Sequence, residues 1–450
     1  MPLPLRRQMR LMPYHVNLPA ICIAMLLALG APATASAATF AVDNGGDAVD
    51  IAPGDGVCGA DDGTCTLRAA VQEANALPGP DTITLEARKH TVASTALIIT
   101  DDIAITGPAA ALCTISAKKR TRVFQIDSGV QAMLSGMTIE GGIAEFGGAI
   151  LNEGSLQMLH AVVRRSQARA ASAGFGGGIY NLGNLELIDV SLERNRALGS
   201  FGGLGGSLFN SGTAVLQGVR ISRSHASGCG GGIFNNVGSI EVTDATIDRN
   251  RVKSSGGGLF HQQGTMTLNN VTVSRNRANA IGGGIFTYAT LRLTNVSISQ
   301  NRGHTGGGLF SRYTTIADLL NVTVSFNRAY EGGGIMNNDT VTLKNTIVAG
   351  NKPRDCEGTA VTSDGHNLAG DASCMLNQPG DLPAANPMLS PLLDDGSGAM
   401  THALQLGSPA IDAGDNGSSP AADQRGRFRP ADGDGNSTAI SDIGAYELQP

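Results

Sequence analysis

The sequence predicts an all-β protein: a right-handed, single-stranded parallel β-helix with an N-terminal capping helix. The first observation is a glycine-rich phrase, such as Gly-Gly-Gly-Ile-Phe-Asn at 230–235, that recurs through the middle of the chain. A fixed period of this length is typical of a solenoid, in which each repeat buries its apolar face only against its neighbours. The aliphatic residue after the glycines returns every 24–29 residues, at Ile150, Ile179, Leu208, Ile233, Leu259, Ile285, Leu309 and Ile335.

A second, independent position keeps the same period. It is occupied by asparagine or serine every 24–29 residues, at Ser166, Asn195, Ser224, Asn250, Asn276, Asn301, Asn327 and Asn351. Side chains at one such position would stack into a ladder, whose amides can hydrogen-bond to one another and to the turn backbone. We therefore assign this ladder a structural role at a corner of each coil.

The pattern inside one repeat predicts three short strands. In the coil of Ile285, apolar residues alternate in twos at Leu291 and Leu293, and again at Val296 and Ile298, with a break in phase between the pairs. This period of two, together with glycine in every repeat, excludes helical solenoids. Parallel strands joined by crossovers adopt a right-handed path, so we expect a right-handed coil.

Composition excludes two other classes of protein. The 450 residues include 61 glycines and no tryptophan, yet 41% of them are hydrophobic, which is too many for a disordered chain. The formal net charge is −6, and removal of an N-terminal leader leaves 29 basic against 38 acidic residues. A mildly acidic chain does not have the footprint of a nucleic-acid-binding protein.

Residues 1–37 are predicted to be a cleaved secretory signal. Three arginines form a basic start, residues 18–30 form an apolar run, and Ala35-Ser36-Ala37 offers small residues for cleavage. A transmembrane anchor is the alternative, but the apolar run is short and contains Pro19. We therefore expect a secreted or cell-surface protein with no membrane span after cleavage.

Six cysteines follow the signal. In an exported protein, the close pairs Cys58–Cys65 and Cys356–Cys374 predict two disulfides. Zinc is the alternative, but the spacings lack a Cys-x-x-Cys element and a completing histidine cluster. The remaining cysteines, Cys113 and Cys229, are expected to be free, buried thiols.

Residues 38–80 are predicted to cover the open end of the first coil. A strand is expected over 38–49, followed by a helix over 67–77 that Thr66 caps. A partner-binding helix is the alternative. The run Cys65-Thr66-Leu67-Arg68-Ala69-Ala70 resembles the CSLREA domain, with departures at Thr66 and Ala69. That family leads bacterial exported β-helix proteins, so the resemblance implies export and a capping role.

The remaining chain divides into β-helix repeats over 81–351 and a tail over 352–450. The glycine phrase resembles the repeats of polymorphic outer membrane proteins, which are surface adhesins; the tail shows no strand series for the membrane β-barrel of such autotransporters. The tail, with Gly-Ser-Pro-Ala-Ile-Asp-Ala-Gly at 407–414 and Asp-Ile-Gly-Ala-Tyr-Glu at 442–447, resembles the choice-of-anchor Q region. That region usually precedes a sorting signal, and no such signal is recognisable here.

The position after the Asn/Ser ladder is the candidate binding feature. Like charges stacked one coil apart repel, so these side chains must point to solvent. One interpretation is a solvated edge that blocks lateral strand pairing. The other is a linear site for an acidic polysaccharide or surface polyanion. The candidate residues are Arg196, Arg251, Arg277, Arg302 and Arg328; Gln167, His225 and Lys352 share their phase, and Arg194, Arg249 and Arg275 lie two residues earlier.

Catalysis is the main alternative function. A polysaccharide hydrolase needs carboxylates roughly 5–10 Å apart on one face. In the repeats the acidic residues are scattered; Asp189 and Asp244 share a phase but lie two intervals apart, with Gly218 between them. No acidic group suited to a lyase stands out, so no catalytic residue is assigned.

The tail contains one candidate metal site. Asp432, Asp434 and Asn436, with Asp442 beyond them, have the alternating oxygen ligands of a Ca²⁺ loop. An Asp/Gly turn without metal is the alternative, since Ser437 stands where such loops have glycine. No other cofactor is expected.

We expect a monomeric, secreted or cell-surface β-helix protein without catalytic activity, with a role in adhesion or glycan binding. A polysaccharide lyase or hydrolase acting on an acidic polysaccharide is the second hypothesis. A purely structural envelope component is the third.

Overall fold

The computed structural model describes residues 37–450, so the predicted signal lies outside the described residues except for Ala37. Three parallel sheets run along this part of the chain. The main sheet takes two strands from most coils. Its strands are Thr39–Val42, Asp81–Leu85, Leu97–Ile99, Ile103–Thr106, Phe124–Ile126, Gln131–Ser135, Ile150–Asn152, Ser155–Leu159, Ile179–Asn181, Asn184–Ile188, Leu208–Asn210, Thr213–Gln217, Ile233–Asn235, Ser239–Thr243, Leu259–His261, Thr265–Asn269, Ile285–Thr287, Thr290–Thr294, Leu309–Leu320, Ile335–Lys344, Cys356–Gly358 and Thr362–Ser363.

Two narrower sheets form the other sides of the coil. The second sheet consists of Lys89–Thr91, Thr114–Ser116, Thr138–Glu140, Val162–Arg164, Ser191–Glu193, Arg220–Ser222, Thr246–Asp248, Thr272–Ser274, Ser297–Ser299, Thr323–Ser325, Ile347–Ala349 and Leu368–Ala369. The third sheet consists of Ile143–Ala144, Gln167–Arg169, Arg196–Leu198, His225–Ala226, Arg251–Val252 and Arg277–Ala278. An antiparallel pair, Leu393–Asp394 and Met400–Thr401, and a 3₁₀ turn, Ala372–Cys374, lie in the tail.

The register between coils confirms the predicted parallel solenoid. Ile150 pairs with Ile179, which pairs with Leu208, so each aliphatic anchor stacks on the next. The predicted corner lies at Asn295, whose φ of 52° turns the chain from the main sheet into the second sheet. The anchors are fully buried in one continuous core along the axis. The hand of the coil stays a prediction.

The N-terminal segment contains the predicted helix, α1 (Leu67–Ala76), with Thr66 accepting a hydrogen bond from the Ala69 amide. Its apolar face packs into the core, and the Cys58–Cys65 disulfide precedes it. The predicted strand over 38–49 is shorter, Thr39–Val42, because the side chain of Asn44 accepts the Gly46 amide and turns the chain. The covering role of this segment stays a prediction.

The Asn/Ser ladder is buried and fully hydrogen-bonded. The Asn276 side-chain oxygen accepts the Asn250 backbone amide at 2.9 Å, and its nitrogen donates to the Ile247 carbonyl at 2.8 Å. The same nitrogen lies 3.1 Å from the Asn301 side-chain oxygen, so each member supports the next. Serine serves at Ser224 because its hydroxyl oxygen also accepts a backbone amide from the coil before. The structural role predicted for this ladder matches these contacts.

A second apolar cluster lies outside the main core. A phenylalanine follows five of the eight aliphatic anchors and points away from the core, and the rings of Phe209, Phe234 and Phe260 stack at 5.2 and 4.8 Å between centroids. Leu204 and Ile281, from the segments before the glycine phrases, pack on these rings. Cys229 is half-buried in this cluster, whereas the other free thiol, Cys113, is fully buried as expected.

The tail folds back and covers the outward face of the second sheet. Thr272 donates to the Met400 carbonyl at 2.8 Å, Ser297 bonds to Gln424 at 2.6 Å, and Ser299 bonds to His402 at 2.8 Å. In earlier coils the same outward positions carry Arg164, Glu193, Arg220 and Asp248. The change from charged to small hydroxyl side chains therefore marks where the tail docks.

Buried charges hold the tail together. Arg429 and Glu447 form an ion pair at 2.7 Å with both side chains fully buried, and Arg429 also reaches the Asn295 side chain at 3.3 Å. The Cys356–Cys374 disulfide forms as predicted. Burial, and then the charge of Glu447, raises the pKa of Asp442 to about 7. Its carboxylate accepts the amides of Asp412 and Leu448 at 2.8 and 2.6 Å.

The Asn ladder should contribute strongly to stability. Asn276→Ala would leave the buried Asn250 amide unpaired and remove a side-chain donor from the Ile247 carbonyl, so the free energy of unfolding should fall by about 2 kcal/mol. Denaturant unfolding followed by circular dichroism measures this. Arg277→Ala, one residue away and exposed, is the control and should change stability little. An equal loss in both variants would argue against the ladder.

Asp442 should make the tail less stable as the pH rises. Its folded-state pKa of about 7 lies above the ordinary 3.8, so folding favours the protonated form. This contribution is fully present below pH 3.8 and is lost as the pH rises through about 7. We expect the melting temperature of Asp442→Asn to fall less between pH 5 and 8 than that of the unaltered protein.

Buried histidines such as His261 and His402 have the opposite effect on the pH dependence of stability, because burial lowers their pKa values. The variant and the unaltered protein both contain these histidines, so comparing the two cancels their effect. Asp318→Asn, at an exposed carboxylate, is the matched control and should leave the pH dependence unchanged. An identical pH profile for Asp442→Asn and the unaltered protein would contradict the assignment.

Candidate functional site

The third sheet positions the predicted arginines in one row. Arg196 pairs with His225, His225 with Arg251, and Arg251 with Arg277. Isolated parallel bridges continue the row through Arg302 and Arg328 to Lys352. We call Arg196, His225, Arg251, Arg277, Arg302 and Arg328 the arginine row. Its arginines are exposed, as predicted, whereas His225 is half-buried.

Strand alternation explains why these side chains face solvent. The next residue along each strand is small and points inward, and these residues form a separate buried cluster of Ala197, Ala226, Val252 and Ala278. A larger inward residue has no room here, because the glycine phrase of the same coil lies directly behind the strand. A Cβ on Gly177 would lie 2.5 Å from the backbone carbonyl carbon of Arg196, which only glycine avoids.

A second row of cations runs beside the first, at the corner before the Asn/Ser ladder. Its members have φ of 53–55°, a left-handed conformation that turns the chain from the second sheet into the third. We call this set the corner row: Arg165, Arg194, Arg223, Arg249 and Arg275. Three of these, Arg194, Arg249 and Arg275, were predicted from their spacing, whereas Arg165 and Arg223 were not. The signal that finds them is their position directly before the ladder residue.

The two rows border a shallow groove of about 830 Å³. Arg194, Arg196, Arg223, His225, Arg249, Arg251, Lys253 and Arg277 contribute its charged and titratable lining. Within residues 37–450, the arginine row forms no ion pair with any carboxylate. The arginine row therefore presents positive charge that no carboxylate of the described residues pairs with.

One corner arginine is partly neutralised. The buried carboxylate of Asp248 lies 3.0 Å from Arg249 and 3.1 Å from Arg220. It anchors the Arg249 guanidinium at the groove edge, since a buried charge must be paired. Asp248 thus weakens the positive field locally and orients one member of the corner row.

His225 lies in the middle of this field. Burial lowers the pKa of His225 below its ordinary value, and the charges of Arg196, Lys253 and Arg251 lower it further. The backbone hydrogen bond with Arg251 acts in the opposite direction. The neutral imidazole is therefore favoured in the absence of a bound anion.

The residues considered for catalysis do not assemble into a compact site. Asp189 and Asp244 occupy equivalent positions at the corner between the main and second sheets, with Gly218 between them, as the spacing predicted. His160 lies 3.4 Å from Asp189, and both side chains are more than half exposed. Asp244 accepts a hydrogen bond from Asn270 at 2.9 Å. These exposed contacts are typical of a solvated corner.

The predicted calcium residues separate in the structure. Asp432 and Asp434 lie together, but the third carboxylate of their cluster is Asp412, all within 4.8 Å, and not Asp442. Asp442 is buried, and its oxygens bind backbone amides. Asn436 donates its side-chain amide to Asp434 at 2.9 Å, and the oxygens of Asp432 also accept loop amides. Calcium binding stays a prediction of the sequence.

No protein-family model matches the chain, and no curated protein sequence matches it. The CSLREA-like and choice-of-anchor Q-like assignments therefore stay predictions. One similar solved structure is ORF18 of Geobacillus virus E2, at 11% identity and a TM-score of 0.35, over 68% of this chain and 53% of that chain. The chain thus spans about half the length of the viral protein.

A second similar structure is pectate lyase Pel9A, at 13% identity and a TM-score of 0.42, over 92% of this chain and 98% of that chain. At such low sequence identities and TM-scores, neither similarity indicates an activity or a substrate for this chain.

The electrostatic coupling of His225 can be measured. Arg196→Ala removes the largest charge acting on the imidazole, so the pKa of His225 should rise towards its ordinary value. Histidine NMR titration gives this pKa directly. Arg328→Ala, four coils from His225 along the row, is the control and should leave this pKa unchanged. A His225 pKa that does not move in Arg196→Ala would contradict the arrangement of the groove.

Proposed function

We propose that this chain is an exported, non-catalytic β-helix protein that binds an acidic polysaccharide or similar surface polyanion along its arginine row. The observation that carries the proposal is the row itself, whose exposed arginines lack carboxylate partners within the described chain. From Arg251 to Arg328, successive coils place one guanidinium about every 4.8 Å. A polymer with regularly repeating anionic groups complements such a row.

Repulsion between the stacked arginines favours binding of a polyanion. Like charges stacked one coil apart repel, so the row carries a cost in the free protein. A bound polyanion relieves that repulsion and releases condensed counterions, which makes binding favourable at low salt. Guanidinium groups suit carboxylate and sulfate esters because they donate two parallel hydrogen bonds to one anionic group.

The proposal includes an extracellular or cell-surface location and a monomeric state. Two disulfides suit an oxidising compartment. Within residues 37–450 there is no helix long and apolar enough to cross a membrane. A predicted secretory signal precedes this part of the chain and supports export.

Two other functions follow from the same scaffold. A solvated edge that prevents lateral pairing of the rods would use the same charges without a ligand. A polysaccharide lyase or hydrolase needs a constellation of carboxylates, and the row of Asp189 and Asp244 is the nearest candidate. The arginine row favours binding because its charges are single in sign and continuous over several coils.

Removing two members of the row should weaken polyanion binding. Arg251→Ala/Arg277→Ala should lower the affinity for polygalacturonate or heparin by at least about tenfold at low salt, since two charge-assisted contacts are lost. The dependence of log Kd on log salt should become shallower by between about 1 and 2. Isothermal titration calorimetry at several salt concentrations measures both quantities.

The control is Arg292→Ala/Arg427→Ala, which removes the same charge from exposed positions outside the row. It should lower the affinity only slightly. Equal losses in the two double variants would show that net charge, and not the row, governs binding. The release of unsaturated or reducing products from polygalacturonate would favour the enzymatic alternative.

A further inference from the structure

We infer that the polyanion is an acidic glycan and that the His304–Tyr330 ring pair beside the arginine row stacks against one of its sugar rings. This inference rests on the proposed function and deepens it, because it names the chemical class of the ligand and one subsite. The subsite consists of Arg302, His304, Arg328 and Tyr330, which occupy corresponding positions in two adjacent coils.

The groove changes character along the rod. The corner row of arginines ends at Arg275, and in the next two coils the same left-handed position is occupied by Gln300 and Phe326. The arginine row itself continues through Arg302 and Arg328. The cationic surface is thus lined by both the arginine row and the corner row in the earlier coils, and by the arginine row alone in these later coils.

In this second part, aromatic rings accompany the arginines. Tyr330 lies two residues after Arg328, and His304 lies two residues after Arg302, so each ring follows an arginine of the row by the same interval in adjacent coils. The Tyr330 amide donates to the His304 carbonyl at 2.8 Å, which places the two residues in register on adjacent coils. Their ring centroids are 4.9 Å apart.

The ring pair is open to solvent. Tyr330 is 73% exposed, and His304 is exposed as well. Single exposed aromatic residues are common on proteins, but two rings in contact, each following an arginine on a rigid coil, form a platform of defined chemistry.

The chemistry of this platform matches an acidic sugar. Such a sugar has an apolar face of C–H groups and an anionic group at its edge. The ring pair can bury the apolar face, while Arg302 or Arg328 binds the anionic group. Inorganic polyphosphate carries the anionic groups without any ring, so it can use the arginines but gains nothing from Tyr330. Comparing the two ligands isolates the contribution of the ring pair.

One carboxylate lies near the ring pair. The carboxylate of Glu331 lies 3.5 Å from the hydroxyl of Thr305, which is also 3.4 Å from the ring nitrogen Nδ1 of His304. The two arginines outnumber this carboxylate, so the subsite keeps a net positive charge.

The test compares Tyr330→Ala with the unaltered full-length protein by calorimetry, using four defined probes. Two are acidic glycans, an oligogalacturonate and a heparin-derived oligosaccharide, which separate carboxylate from sulfate recognition. The others are polyphosphate of matched charge and a single-stranded oligonucleotide. Phe428→Ala, at another highly exposed aromatic residue in the tail, is the matched control.

We expect Tyr330→Ala to weaken binding of at least one acidic glycan by about fivefold or more, a free-energy loss within the range of aromatic stacking. Polyphosphate binding should be unchanged, and Phe428→Ala should behave like the unaltered protein. An equal loss for glycan and polyphosphate, or no loss for either glycan, would overturn the inference. Preferential, Tyr330-dependent binding of the oligonucleotide would also overturn it.

The outcome is separable from that of the proposed function. Arg251→Ala/Arg277→Ala should weaken all anionic probes, including polyphosphate, because it removes charge only. If this double variant binds weakly while Tyr330→Ala binds normally, the polyanion site stands and the glycan subsite fails. If neither variant changes binding, the proposed function itself fails. Circular dichroism of each variant verifies that the coil is intact.

Discussion

The close contact between the middle glycine of each phrase and the third-sheet strand of the same coil is the constraint on which the cross-section depends. A Cβ on Gly257 would lie 2.8 Å from the Arg277 backbone, and one on Gly283 would lie 2.4 Å from that of Arg302. The backbones of the glycine phrase and the third-sheet strand therefore lie almost in contact. The inward positions of the third sheet accordingly hold alanine or valine. The only long side chains that this side can carry point outward.

Because the strands stack in parallel register, the effect of a residue type at one position is repeated along the rod. A residue type placed at one position lies directly beside its counterpart in the next coil, so favourable and unfavourable contacts both repeat. At the Asn ladder the repetition is favourable, because each side chain satisfies a buried amide of its neighbour. At the arginine row it is unfavourable, because like charges adjoin without carboxylates between them. The ladder holds the coils in a register that the charges oppose.

The period revealed the solenoid, the ladder and the row because these features depend on spacing alone. Contacts between distant segments have no such signal: the tail reaches the second sheet through pairs such as Ser297 with Gln424, 127 residues apart. The loss of charge at Thr272 and the positions stacked after it could have indicated a covered face. In the acidic cluster, spacing led to Asp442, whereas folding brings Asp412, because a buried carboxylate that binds backbone amides looks the same in sequence as an exposed ligand.

The placement of the covering segments leaves particular faces free for ligands. The phenylalanine stack covers one strip of the main sheet, and the tail covers the later coils of the second sheet. The outward positions that stack with Arg292 on the main sheet are open, but they carry Glu241, Arg292 and Asp318 in nearby coils, so charges of both signs are mixed there. Among the three parallel sheets of residues 37–450, the third is the one on which a single sign of charge continues from coil to coil. A linear polyanion therefore gains additional contacts with each coil it crosses there, whereas on the main sheet each favourable contact is offset by a neighbouring charge of the opposite sign.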